Sequence, residues 1–173
     1  KYKHFLSRHP HHIIIGGNDM AFGIVRQIFE PYNNGDNKIL PYILIQTARN
    51  VEEFRRELFS SLSEQQQQHI IISYGSRTSE EEVRNLQLQQ ATEVYILGEE
   101  TRTDELEPYH ATINMQCFDL ITKITDEEST RQEPTKCYVM FEFQTSFAAF
   151  QSSKQPRVVT GKDKNELLVF IPF

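Results

Sequence analysis

A short β-branched run ending in two glycines constrains this chain more than any other feature. It reads His12-Ile13-Ile14-Ile15-Gly16-Gly17-Asn18-Asp19-Met20-Ala21-Phe22-Gly23. An apolar run without polar alternation is what a strand covered on both faces requires, and the apolar spacing after Gly17 is helical. A buried strand turning sharply into a helix brings backbone N–H groups and a helix N-terminus to one corner, where an anion can be held. That is the first half of a mononucleotide-binding βαβ unit.

The rest of the chain repeats the alternation. Further strands are predicted at 42–46, 69–73, 93–97, 136–144 and 167–171, with the first at 12–16. Helices are predicted at 21–30, 51–62, 80–88, 105–124 and 146–152. Phe22, Val25, Ile28 and Phe29 fall at helical spacing, as do Val51, Phe54, Leu58, Phe59 and Leu62. Asn50 is placed to cap the second helix, and Ser79 with Glu82 forms a capping-box pattern. The run 65–68 reads as a helix end or polar loop, and 31–41 and 126–135 read as solvated loops. Strand–helix alternation at these spacings forces parallel pairing through right-handed crossovers. The expected fold is α/β: a Rossmann-like, doubly wound, mainly parallel six-stranded sheet with helices on both faces, in the order 3-2-1-4-5-6.

Bulk properties narrow the function. At 173 residues the chain suits one domain, residues 1–173, and a chain of this size buries roughly 70% of its unfolded surface. A net charge of −6 disfavours a nucleic-acid partner, which calls for a basic face. Cys117 and Cys137 sit in apolar contexts and read as buried, reduced thiols of a cytosolic protein. No apolar run has the length of a membrane span. The chain starts without methionine and stops after an apolar strand-like run, so it reads as a fragment of a longer polypeptide.

The candidate site is the first strand–helix turn. Aligned with the dinucleotide fingerprint, Gly16 keeps the tight turn and Ala21 still allows close helix–sheet packing. Asn18 places a side chain where a pyrophosphate would approach. Gln46-Thr47-Ala48-Arg49 ends the second strand without the acid that binds ribose hydroxyls. Arg49 there is either a bidentate phosphate ligand or a residue of a solvated helix start. Tyr74-Gly75-Ser76-Arg77 follows the third strand, near the adenine side of such a crevice, and also reads as an ordinary turn. His4, His9, His11 and His12 cluster without a defined metal partner set, and His110 lies within a helix pattern with no nucleophile around it. The acidic stretch Glu99-Glu100-Thr101-Arg102-Thr103-Asp104-Glu105-Leu106-Glu107 reads either as oxygen ligands for a divalent cation or as a solvated helix start. No nucleophile elbow, zinc signature or Walker loop is present, which favours sensing or binding over chemistry.

In order, the blocks 12–23, 42–53, 70–88 with its Tyr74-Gly75-Ser76 turn, and Ala91-Thr92-Glu93-Val94-Tyr95-Ile96-Leu97 resemble the N-terminal half of the RCK (regulator of potassium conductance) domain. This is also described as the Trk-type NAD-binding domain. The Gly-Ser turn looks most like Castor/Pollux-type ion-channel proteins, and the match spans residues 3–151. The resemblance implies a non-catalytic, ligand-sensing regulatory domain of a potassium or other cation channel or transporter, on the cytoplasmic side of the cell membrane. Its partners would be a second copy, in a homodimer or gating ring, and a membrane pore domain of the same polypeptide. Its ligand would be NAD or another adenine nucleotide, or Ca²⁺. By position, Gly16, Gly17, Asn18, Ala21, Thr47, Gly75 and Ser76 map onto the nucleotide crevice, with Arg49 beside them. Two other readings stand: a nucleotide-dependent oxidoreductase domain, and a structural Rossmann relic that mediates assembly.

Overall fold

The run Ile13-Ile14-Ile15 is buried on both sides because it lies in the interior of the sheet, flanked by strands on either edge. A computed structural model describes residues 2–33, 39–100, 109–128, 135–141, 157–160 and 167–172. Its strands are β1 (His11–Ile15), β2 (Tyr42–Thr47), β3 (Ile70–Tyr74), β4 (Ala91–Ile96), β5 (Lys136–Phe141), β6 (Arg157–Thr160) and β7 (Leu167–Pro172). Its α-helices are α1 (Tyr2–Leu6), α2 (Asp19–Phe29), α3 (Val51–Phe59), α4 (Glu64–Gln68), α5 (Glu80–Arg84) and α6 (His110–Glu128).

The sheet order is β3-β2-β1-β4-β5-β7-β6. Strands β1 to β5 pair in parallel. The fold is therefore α/β and Rossmann-like, but among the described residues the parallel layer has five strands, not six. The last strand is not a sixth parallel member. Strand β7 pairs antiparallel with both β5 and β6 and lies between them. Only residues 161–166 separate β6 from β7, too few for the crossover that a parallel pairing needs. Strand β6, Arg-Val-Val-Thr, has no place in the sequence reading, because four residues with two polar ends fall below a usable apolar run.

Alternate side chains of the parallel strands enter two separate cores. Ile13, Ile15, Leu44, Val94, Ile96, Cys137 and Val139 pack with Leu6, Val83, Phe118, Ile121 and Ile124 of α1, α5 and α6. Ile14, Ile43, Ile45 and Met140 pack with Ala21, Val25, Phe29, Phe54 and Leu58 of α2 and α3. Helices thus cover both faces. Burial pushes the Cys117 thiol up to about 12 and raises Cys137 as well, so both serve as packing groups.

Helix ends differ from the expected ones where caps intervene. The predicted 51–62 helix stops at Phe59, and Ser63 starts a separate helix with a reciprocal capping box to Gln66. The long helix α6 spans His110–Glu128, past the predicted end at 124, and Tyr109 just before it has φ +62°. Residues 101–108 and the helix expected at 146–152 lie outside the described residues. Ser79 caps α5 as expected, but the Glu82 carboxylate accepts from the Ser76 N–H instead of closing the box. Among the described residues no helix is long and apolar enough to cross a membrane.

A polar patch crosses β1, β4 and β5. His12 is the register partner of Glu93, and Tyr95 is that of Tyr138. The His12 Nδ1 atom stands 3.4 Å from Glu93 Oε2, the Tyr95 hydroxyl donates to the same oxygen at 2.7 Å, and the tyrosine rings stack at 4.8 Å. His12, then Tyr95, hold the Glu93 carboxyl below its ordinary value of 4.5 against the opposing effect of burial. A depressed carboxylate stabilises the fold above its unfolded pKa, and that stability is lost as pH falls through the folded value. Glu93→Gln is therefore expected to cost about 0.5–1.5 kcal/mol near neutral pH. The difference should close as pH falls through the lowered folded pKa of Glu93, as read by urea denaturation of both chains.

Candidate functional site

The chain runs from β1 through β2 to β3 on one side, then crosses to β4 on the other. The reversal falls at the carboxyl ends of β1 and β4, where open α/β sheets commonly take ligands. Gly16 and Gly17 line this corner. Gly16 has φ +114°, and an added Cβ would lie 2.7 Å from the Leu97 carbonyl oxygen and 2.8 Å from that of Gly98. Only glycine fits that backbone. An added Cβ at Gly17 would stand 2.3 Å from Thr47 Oγ1.

Across this corner lies Glu99, in the segment just after β4. Its Oε2 accepts the Gly17 N–H at 2.8 Å and the Thr47 hydroxyl at 2.7 Å, and its Oε1 accepts the Ala48 N–H at 2.8 Å. Glu99 is 9% exposed. One carboxylate therefore joins the carboxyl ends of β1, β2 and β4. Thr47 is fixed in turn, since its oxygen accepts the Arg49 N–H at 3.0 Å.

Arg49 is neither a free phosphate ligand nor a solvated helix residue. Its Nη1 donates to the Gly17 carbonyl at 3.1 Å and to Glu100 Oε2 at 3.0 Å, while Nη2 donates to Glu57 at 3.2 Å. The guanidinium carbon sits 5.6 Å from the Phe54 ring centre, and Phe54 stacks on Phe22 of α2. Three carboxylates, of Glu57, Glu99 and Glu100, thus share this mouth with the one Arg49 guanidinium.

Asn18 does not stand over the turn. It is 4% exposed and extended, its oxygen caps α2 by accepting the Met20 N–H at 2.9 Å, and its amide lies 3.8 Å from Met140 Sδ. Ala21 is fully buried under the sheet-facing side of α2, which is the packing role expected of it.

Gly75 adjoins this corner through its N–H, which donates to the Thr47 carbonyl at 3.1 Å, whereas Ser76 turns away from it. Gly75 is buried against the Gln46 side chain, where an added Cβ would meet Nε2 at 2.5 Å. Ser76 is exposed and bonds within its own turn, to Thr78 and Glu82. Gln46 is 3% exposed, and its Nε2 donates to the Glu82 carbonyl at 3.1 Å. That carbonyl fixes the amide orientation and leaves the buried Oε1 without a hydrogen-bond partner among the described residues. On the same side Arg77, 5% exposed, donates to Asn114 Oδ1 at 2.9 Å, and Asn114 donates to the Met140 carbonyl at 3.0 Å. His110 is buried beside this network at the start of α6.

The sequence reading missed Glu99, placing it in a solvated or cation-binding acidic run. Both its oxygens face protein donors instead, and residues 101–108 of that run lie outside the described residues. The available signal was its position after Leu97-Gly98, a second strand-then-glycine end like Ile15-Gly16. Two of the clustered histidines are likewise engaged: both His11 ring nitrogens lie 2.9 Å from carbonyl oxygens, and His9 stacks on Phe5. Among the described residues no group of three or more His, Cys, Asp or Glu side chains is placed to hold a metal ion.

Gly16→Ala is expected to destabilise the chain by about 2 kcal/mol or more, since it adds strain and a collision with two carbonyls. Gly23→Ala is the control: it lies within α2, meets nothing within 4 Å, and should be neutral or stabilising. Urea midpoints check the pair, and a Gly16→Ala chain as stable as its parent would contradict the geometry.

No protein-family model matches the sequence, and none of the curated proteins matches it. Among solved structures, the methyltransferase domain of bacterial CtHen1-CN is similar in fold. The TM-score is 0.51 at 10% sequence identity, over 95% of this chain and 91% of that one. At this identity the likeness establishes the α/β architecture. It also corrects two expectations: the structural neighbour is an enzyme domain, so the reading as a non-catalytic channel regulator, and with it the reading as a non-enzyme, is withdrawn.

Proposed function

We propose that the chain binds an adenosine-containing ligand at the carboxyl ends of β1, β2 and β4. The observation that carries this is the Gly16–Gly17 corner, which has no room for a Cβ and lies at the point where the strand order reverses. Gly16, Gly17, Asn18 and Ala21 form the turn and the start of α2. Thr47 and Arg49 form the opposite lip. Gly75 and Ser76 belong to the neighbouring turn, where the orphaned Gln46 Oε1 offers a buried acceptor for a ligand donor. The ordered blocks that resemble the Trk-type NAD-binding domain support an adenine-containing ligand.

A second reading, methyl transfer from an adenosyl donor, is favoured by the likeness to a methyltransferase domain over 95% of this chain. Fold likeness alone does not carry an activity, so this reading depends on the ligand.

Thermal unfolding with adenosine, S-adenosylmethionine, S-adenosylhomocysteine, ADP and NAD separates these. A ligand at a hundred times its Kd should add about 2.7 kcal/mol of stability. Stabilisation by at least one adenosine-containing compound is expected. Preference for the two sulfur-containing compounds would support methyl transfer, and no shift with any of the five would overturn the proposal.

A further inference from the structure

We infer that Glu99 is an internal occupant of the phosphate seat and selects against ligands that carry a pyrophosphate. This rests on the reading of the corner as an adenosine site and adds which chemical class of ligand it admits. The donors that a phosphate would use at a strand–glycine–helix turn are backbone N–H groups and a nearby hydroxyl. Here the Gly17 N–H, the Ala48 N–H and the Thr47 hydroxyl all point at one carboxylate, at 2.7–2.8 Å. The Met20 N–H, one turn further on, is taken by Asn18. A pyrophosphate entering the corner would meet satisfied donors and an anion.

Neighbouring charge acts in the same direction. Glu100 and Glu57 lie on the Arg49 guanidinium, so the cation at the mouth is already held by carboxylates. Charge-assisted bonds of this kind are about twice as strong as neutral ones, so displacing Glu99 costs a ligand much of what its phosphate would gain. An adenosyl ligand without phosphate has no such competitor. Its ribose hydroxyls do not compete with the Glu99 carboxylate for the corner's amides.

The test uses the whole chain with Glu99→Ala and Glu99→Gln, probed by inorganic pyrophosphate, NAD, adenosine and S-adenosylhomocysteine. Circular dichroism establishes that each variant is folded. Pyrophosphate and NAD should leave the melting temperature of the parent unchanged and raise that of Glu99→Ala. NAD should bind Glu99→Ala at least about tenfold more tightly than it binds the parent. Glu99→Gln removes the charge at nearly constant shape, and it carries the comparison if the alanine variant does not fold. The inference is overturned if NAD binds the parent as tightly as the variants, or if pyrophosphate fails to stabilise a folded variant. If adenosine and S-adenosylhomocysteine bind neither chain, the adenosine reading falls separately, while the pyrophosphate comparison still decides the role of Glu99.

Discussion

One carboxylate ties three strand ends together. Glu99 follows β4, yet it accepts from the turn after β1 and from two successive residues where β2 ends. In a parallel sheet these carboxyl ends carry amides with no further strand to bond to. Buried amides need acceptors, and Glu99 supplies them at the reversal point of the strand order. The close approach is possible because Gly16 and Gly17 carry no side chain. Arg49 then braces the other side of the turn through the Gly17 carbonyl and the aromatic pair Phe54 and Phe22. This is therefore a built corner whose donors and acceptors are matched within the chain.

The parallel core was legible because its strands are buried on two faces. Ile13-Ile14-Ile15 and Ile43-Leu44-Ile45 each divide their side chains between the two cores, and such runs show no polar alternation. The caps at Asn50 and Ser79 were legible for a local reason, since side-chain oxygen to amide bonds span two or three residues. The edge was not. Strand β6 is four residues long and owes its place to pairing with β7, a contact between segments that no local pattern announces.

The site shows the same division. Gly16, Gly17 and Ala21 could be read from the turn they make, because their roles are steric and local. Glu99 could not, because its partners lie 51, 52 and 82 residues away in sequence. The channel reading drew on an ordered set of glycine turns and strands. These residues encode a doubly wound sheet, and such a sheet carries many activities. The fold survived comparison with a methyltransferase domain, whereas the function attached to it did not.

The central claim is that the Glu99 carboxylate holds the Gly17 and Ala48 amides. Amide proton chemical shifts of the parent and Glu99→Gln chains test it most directly, because a charge-assisted bond to a carboxylate moves an amide proton downfield. Both resonances should lie downfield in the parent and move upfield together in the variant, with Gly23 unchanged. If Gly17 and Ala48 keep the same shifts in both chains, Glu99 does not occupy the corner.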